Sequence, residues 1–262
     1  GVILNIDADH MEYFKTMKNL KMSFRKFALL TQHTVLINVD DDNTIAALSG
    51  VDRYVRTFGI ERSADYQAVN VREYRPSFYA FDLNVHGRIV AKFELGVPGH
   101  HNVYNALAAV ALASMSGCTY EECEAGIRAF RGAGRRFEFL GEVNGVTIAD
   151  DYAHHPAELD ATLSAAKKMD YKHVWAVFQP FTYTRTERLL DDFAAVLSKA
   201  DHVVMTEIMG SRERAEDYTV RTKDLAAKIP GSVWFNTFDE VVNYVMTHAE
   251  PGDLVITLGC GD

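Results

Sequence analysis

Apolar residues recur along this chain in two registers: short continuous or alternating runs that predict strands, and a helical spacing of about three to four residues. Gly1 to Ile6 (GVILNI) reads as a buried strand. Met11 to Leu30 places Met17, Leu20, Phe24 and Phe27 at helical spacings with lysines between them, which predicts an amphipathic helix. Thr34 to Val39 predicts a second strand, Asp40-Asp41-Asp42-Asn43 a solvated acidic turn, and Ile45 to Leu48 a short helix. From Tyr54 to Phe58, Tyr66 to Val71, Phe78 to Val85 and Arg88 to Leu95 the runs shorten, with His86-Gly87 as a hairpin turn. An antiparallel extension of the first sheet is expected there. Val103 to Ser116 and Tyr120 to Phe130 then read as helices.

Beyond residue 140 strands are expected near 145 to 149, 173 to 178, 202 to 206, 232 to 235 and 253 to 258, with helices between them. Such alternation implies a parallel, doubly wound sheet with right-handed crossovers. The fold class is therefore α/β: a partial central domain with a mixed sheet and helices over residues 1–133, then a Rossmann-like domain over 134–262. Gly132-Ala133-Gly134, followed by Arg135 and Arg136, marks the hinge between them. No internal repeat or low-complexity linker interrupts the pattern.

Composition narrows the classes. The chain has 262 residues, 48% hydrophobic and 24% charged, enough to bury a sizeable core. Its net charge of -9 argues against nucleic acid or an anionic membrane as partner, so any phosphate site must be local. Cys118, Cys123 and Cys260 have no zinc-ligand spacing and fit a reducing compartment, with the cytoplasm as the expectation. No apolar run reaches membrane-spanning length and no secretory pattern opens the chain. Because a central strand seldom opens a domain, a preceding portion is expected, and no Gly-x-x-x-x-Gly-Lys-Ser/Thr phosphate loop is present. The pattern assigns no oligomeric state.

The densest chemistry lies in Asp150-Asp151-Tyr152-Ala153-His154-His155-Pro156, between the strand at 145 to 149 and the helix from Ala157 to Met169. A strand-to-helix loop in an open parallel sheet lies at the carboxyl edge, where ligands bind. The plain alternative is an aspartate cap with solvated histidines. Three further polar loops follow strands: Gln179 to Arg185 (QPFTYTR), Glu207 to Glu213 (EIMGSRE) and Gly259-Cys260-Gly261-Asp262. Four loops at one edge make a site. Elsewhere, Asp7-Ala8-Asp9-His10 offers a metal ligand or a helix cap. Asn102 and Asn105, at i and i+3, offer amides to a base edge or a cap and an interhelix bond. The two hinge arginines are phosphate ligands or surface charges. Both Asp/His clusters together would serve two-metal phosphoester hydrolysis if they shared a site, and a noncatalytic nucleotide-binding module is a third reading.

NIDADHMEYF, PGHHNVYNALAAVALA, GAGRRFEFLG, DDYAHHPAEL, FQPFTYTRT and DLVITLGCGD together resemble the Mur ligases in order and approximate spacing, from residue 1 to 262. The resemblance implies the back half of an ATP-binding central domain and a whole carboxyl-terminal amino-acid-binding domain. It implies ATP-dependent amide formation with Mg2+, with UDP-N-acetylmuramate and L-alanine as substrates; a relative that attaches a tripeptide to the same nucleotide sugar is the alternative. By motif, His10 would ligate magnesium. His101, Asn102 and Asn105 would hold the adenine, Arg135 the phosphates and Asp151 the ribose. Tyr152, His154, Tyr183 and Arg185 would line the substrate pocket, with His154, Arg185 and Arg135 the catalytic set. Phe181 and Thr182 depart from the family's His, often followed by Arg, while Arg212-Glu213 retains its Arg-Glu. The chain alone is expected to be inactive, since the family's phosphate loop and sugar-binding domain precede the matching part.

Overall fold

The structure, a computed structural model, describes residues 1–261, and Glu12 in its backbone only. Asp262, the end of the last polar loop, lies outside the described residues. The chain divides into two compact units, Gly1–Arg131 and Gly132–Asp262.

In the first unit the elements run β1 (Val2–Ile3), α1 (Met11–Phe14), α2 (Met17–Leu30), β2 (Thr34–Asn38), α3 (Asp42–Leu48), β3 (Tyr54–Gly59), β4 (Tyr66–Arg75), β5 (Phe78–Val85), β6 (Arg88–Glu94), α4 (His101–Met115) and α5 (Tyr120–Ala129). The strands form one sheet in sequence order. Pairings from β1 to β4 are parallel, and only β4/β5 and β5/β6 are antiparallel. The antiparallel extension thus begins at β5, later than expected. The helix expected over Met11 to Leu30 breaks at Lys15, whose φ is 65°, and restarts where the Thr16 hydroxyl accepts from Asn19 N. A threonine cap outcompetes continuous helix there. Because strand side chains alternate, β2 sends Val35 and Ile37 to a core with Leu20, Ala28 and Leu48, and Leu36 to one with Phe58, Phe81, Leu107 and Ala111.

The second unit runs β7 (Glu138–Val143), β8 (Val146–Asp151), α6 (Pro156–Ala166), β9 (Val174–Phe178), α7 (Tyr183–Arg188), α8 (Leu190–Leu197), β10 (His202–Thr206), a 3-10 turn (Ala215–Asp217), α9 (Thr222–Ala226), β11 (Val233–Phe235), α10 (Phe238–His248) and β12 (Leu254–Leu258). Strand order is β11-β10-β9-β12-β8-β7. Five strands are parallel, as alternation predicts. The sheet is mixed all the same, because β7 adds an antiparallel edge. Its hairpin turns on Asn144 (φ 52°) and Gly145 (φ 79°), two consecutive left-handed residues of the sort a two-residue β-turn requires. Along β12, Leu254, Ile256 and Leu258 face a core built with α6, α8 and α9, while Val255 faces Trp175 and Val241 of α10. All four polar loops follow the carboxyl ends of the parallel strands β8, β9, β10 and β12.

Candidate functional site

At the carboxyl edge of the second sheet, the loop after β8 is organised by Asp151. Its Oδ2 accepts from Phe137 N (2.9 Å) and Thr162 Oγ1 (3.0 Å), and its Oδ1 from Ala153 N (2.8 Å). Burial pushes the Asp151 carboxyl above its ordinary value, offset in part by those three bonds and by the Arg136 charge. Asp151, expected at the ribose, holds Phe137, Ala153 and the α6 residue Thr162 together. Neighbouring Asp150 accepts from Thr257 Oγ1 (2.5 Å) and pairs with Arg135 Nε at 2.8 Å. A second guanidinium nitrogen of Arg135 donates to Gly259 O at 2.9 Å, and the Arg135 Cζ lies 5.0 Å from the Tyr152 ring centroid. Arg135 therefore ties the end of β8 to the loop after β12.

The cap of α6 differs from either sequence reading. His155 is the N-cap, accepting from Ala157 N, and the Glu158 carboxylate accepts from the backbone N–H groups of His154 and His155. Pro156 occupies the first helical turn, where its missing N–H costs nothing. His155 is thus structural. The His154 Nδ1 lies 2.9 Å from Tyr152 O and 3.5 Å from Glu158 Oε2, and its ring meets Tyr152 and Phe181 edge-on at 5.4 and 5.9 Å.

Across the edge, the β9 and β10 loops pair through Phe181 and Met209. Arg185, in the first turn of α7, holds its guanidinium 5.9 Å from the Phe181 ring centroid. Burial raises the Cys260 thiol pKa, while the charges of Arg185 and Arg135 lower it and that of Glu158 raises it. Tyr152, His154, Phe181, Arg185 and Arg135 therefore surround one stretch of the edge. Tyr183, expected among them, is buried instead and stacks on Tyr218 at 5.5 Å. Glu158 and Thr257 were not singled out in sequence, although Glu158 three residues after the cap is a legible capping-box signal.

In the first unit a second polar edge forms where β1, β2 and β3 end. Asp40, expected in a solvated turn, accepts from the backbone N–H groups of Ile60, Glu61 and Arg62 and from the Tyr104 hydroxyl. Burial works to raise its pKa, but these donors outweigh it and hold the carboxyl below the usual range. Asp41 caps α3 and accepts from Ile6 N at 3.0 Å. At the start of α4, Asn102 Nδ2 donates to Pro98 O (2.7 Å) and Asn105 Nδ2 to Asn102 Oδ1 (2.9 Å). The structure thus brings the two amides together, with exposed Asn105 outermost and His101 beside Gly99. His10 has φ 53° and an imidazole 63% exposed, with Nε2 3.6 Å from Asp9 Oδ2. Among the described residues no group of three or more His, Cys, Asp or Glu side chains is placed to hold a metal, and no helix is long and apolar enough to cross a membrane.

Known proteins give these two units a shared context. The Mur ligase middle domain matches residues 1–113, and the Mur ligase glutamate ligase domain matches residues 135–261. UDP-N-acetylmuramate–L-alanine ligases from Caldanaerobacter subterraneus subsp. tengcongensis and Alkaliphilus metalliredigens are each 41% identical to the chain, covering 100% of it and 58% of their own length. The crystal structure of UDP-N-acetylmuramate-alanine ligase from Thermotoga maritima aligns with TM-score 0.77 and 25% identity, over 100% of this chain and 56% of that one. The chain spans somewhat over half the length of the relatives it matches. With family matches over both units, and a site built from the loops that carry its motifs, the chain belongs to the Mur ligase family.

Proposed function

We propose that this chain is the nucleotide- and amino-acid-handling part of a UDP-N-acetylmuramate–L-alanine ligase that works in the cytoplasm. The observation that carries the reading is the run of contacts from Arg185 to Phe181, from Phe181 to His154 and from His154 to Tyr152 at the carboxyl edge of the second sheet. A guanidinium there can take the incoming amino acid's carboxylate in bidentate fashion. In the reaction, the muramoyl carboxylate attacks the γ-phosphorus of ATP and ADP leaves. The alanine amine then attacks the acyl carbon, and phosphate departs with one oxygen of the original carboxylate. Little covalent work falls to the protein, whose part is positioning and charge neutralisation.

On this reading Arg185 orients alanine, and His154, its Nδ1 held at Tyr152 O, faces the reacting amine with Nε2. Arg135, held by Asp150 and Gly259 O, neutralises phosphate charge, and Asp151 shapes the ribose subsite by fixing Phe137, Ala153 and Thr162 around the end of β8. Asn105, steadied by Asn102 and flanked by His101, meets the adenine edge. His10 with Asp9 fits Mg2+, an ion that keeps most of its shell in water and phosphate oxygens and asks little of the protein. When bound, the ion screens the phosphate oxygens from the attacking carboxylate. The test is incorporation of labelled amino acid into UDP-N-acetylmuramate by the full-length protein carrying this chain. L-Alanine should be incorporated in preference to glycine and L-serine, with ATP required; incorporation of a tripeptide but not L-alanine would overturn the assignment.

A further inference from the structure

Arg185 rides on α7, a helix of six residues that its own sequence starts badly. The cap residue Thr182 lies at φ 64° and offers no side-chain hydrogen bond to the first turn. Free N–H groups at a helix start need an acceptor. Here the acceptor comes from the β10 loop: Thr184 N donates to Glu213 Oε2 at 3.0 Å, and Thr182 N to Met209 O at 2.9 Å. Thr184 Oγ1 also shares a 2.9 Å hydrogen bond with Tyr218 Oη, while Tyr218 stacks nearly parallel on Tyr183 and Arg221 lies 5.7 Å from the centroid of the Tyr183 ring. Contact between loop and helix is so close that a Cβ on Gly210 would stand 2.6 Å from Glu213 O and 2.9 Å from the Tyr183 ring.

We propose that Glu213, assisted by Tyr218, is a positioning residue for amino-acid binding: it sets the tilt of α7 and through it the Arg185 fork. This rests on the reading that Arg185 holds the incoming amino acid's carboxylate. Bidentate pairing requires the two planes to align, so a small rotation of a short helix removes one of two hydrogen bonds. The test uses the full-length ligase. Glu213→Ala should raise the KM for L-alanine about tenfold, with the KM values for ATP and UDP-N-acetylmuramate unchanged. Glu213→Gln should recover most of the loss, because its amide oxygen still accepts from Thr184 N. In an Arg185→Lys background Glu213→Ala should add little, since both act on one interaction. Should Glu213→Ala fail to fold, Glu213→Asp, whose carboxylate stops short of Thr184, reads the same KM. An unchanged alanine KM, or an equal rise in all three, would overturn the role of Glu213. An unchanged alanine KM in Arg185→Lys would instead defeat the carboxylate reading itself.

Discussion

Replacing Asp151 by alanine should unfold the second unit far more readily than loss of an ordinary loop carboxylate. Phe137, Ala153 and Thr162, which donate to it, are all buried, at 8%, 1% and 4% exposure. Each buried donor left without a partner costs about 1–3 kcal/mol. The three do not add fully, because water enters the gap and the cost of burying a charge disappears, so a net loss of about 3 kcal/mol is expected. Both tryptophans, Trp175 and Trp234, lie in the second unit, so their fluorescence during urea unfolding reports on it. With an m-value of about 2 kcal/mol/M the midpoint should fall by about 1.5 M. Thr162→Val, which removes one donor and leaves the carboxylate, should cost only about 1 kcal/mol. The pH dependence has a definite sign. Burial raises the folded Asp151 pKa above the ordinary 3.8, so the folded state binds the proton more tightly than the unfolded chain. Stability of the parent relative to Asp151→Asn should therefore fall as pH rises from 3.8 through the raised folded value, and level off above it. A midpoint shift under about 0.5 M for Asp151→Ala, or a relative stability that rises with pH across that window, would refute the role assigned to this carboxylate.

Gly210→Ala should cost the second unit about 1–3 kcal/mol in the same urea assay, since its methyl group would meet both the Glu213 backbone oxygen and the buried Tyr183 ring. Arg135→Lys, which loses the fork joining Asp150 to Gly259 O, should lower ligation by the full-length protein about 10- to 100-fold at saturating alanine. Asp253, 1% exposed, accepts from Trp175 Nε1, Glu250 N and the His173 ring. Burial works to raise its pKa, but these bonds outweigh it and hold the carboxyl below 3.8. Its stabilisation is thus complete above 3.8 and lost as pH falls through the depressed folded value, and Asp253→Asn should flatten that acid limb of the tryptophan-monitored unfolding curve.

Sequence periodicity carried most of the fold because both sheets bury apolar strands against amphipathic helices. Thr34–Asn38 and Leu254–Leu258 were legible for that reason. What escaped was decided by local chemistry. Strand β7 exposes Phe139, Leu140 and Val143, so it has no buried-strand pattern, and its one clear signal is Asn144-Gly145. The break at Lys15 hides inside a continuous helical pattern and depends on one threonine cap. Within the site, the loops were legible because functional side chains cluster after strands, but the partners of each side chain were not. Asp40 looked like one of three solvated aspartates, and its donors at Ile60, Glu61 and Arg62 lie about twenty residues away. Asp150 and Asp151 are adjacent in sequence yet point to opposite faces of β8, so one pairs with Arg135 and the other is buried.

In the proposed reaction a carboxylate, not water, attacks the γ-phosphate. UDP-N-acetylmuramate labelled with 18O in its carboxylate, given to the full-length protein with ATP and L-alanine, tests this by mass spectrometry of the phosphate released. One labelled oxygen is expected in each phosphate, formed only when alanine and the nucleotide sugar are both present. Unlabelled phosphate, with its new oxygen drawn from water, would contradict it and point to hydrolysis of a phosphoester.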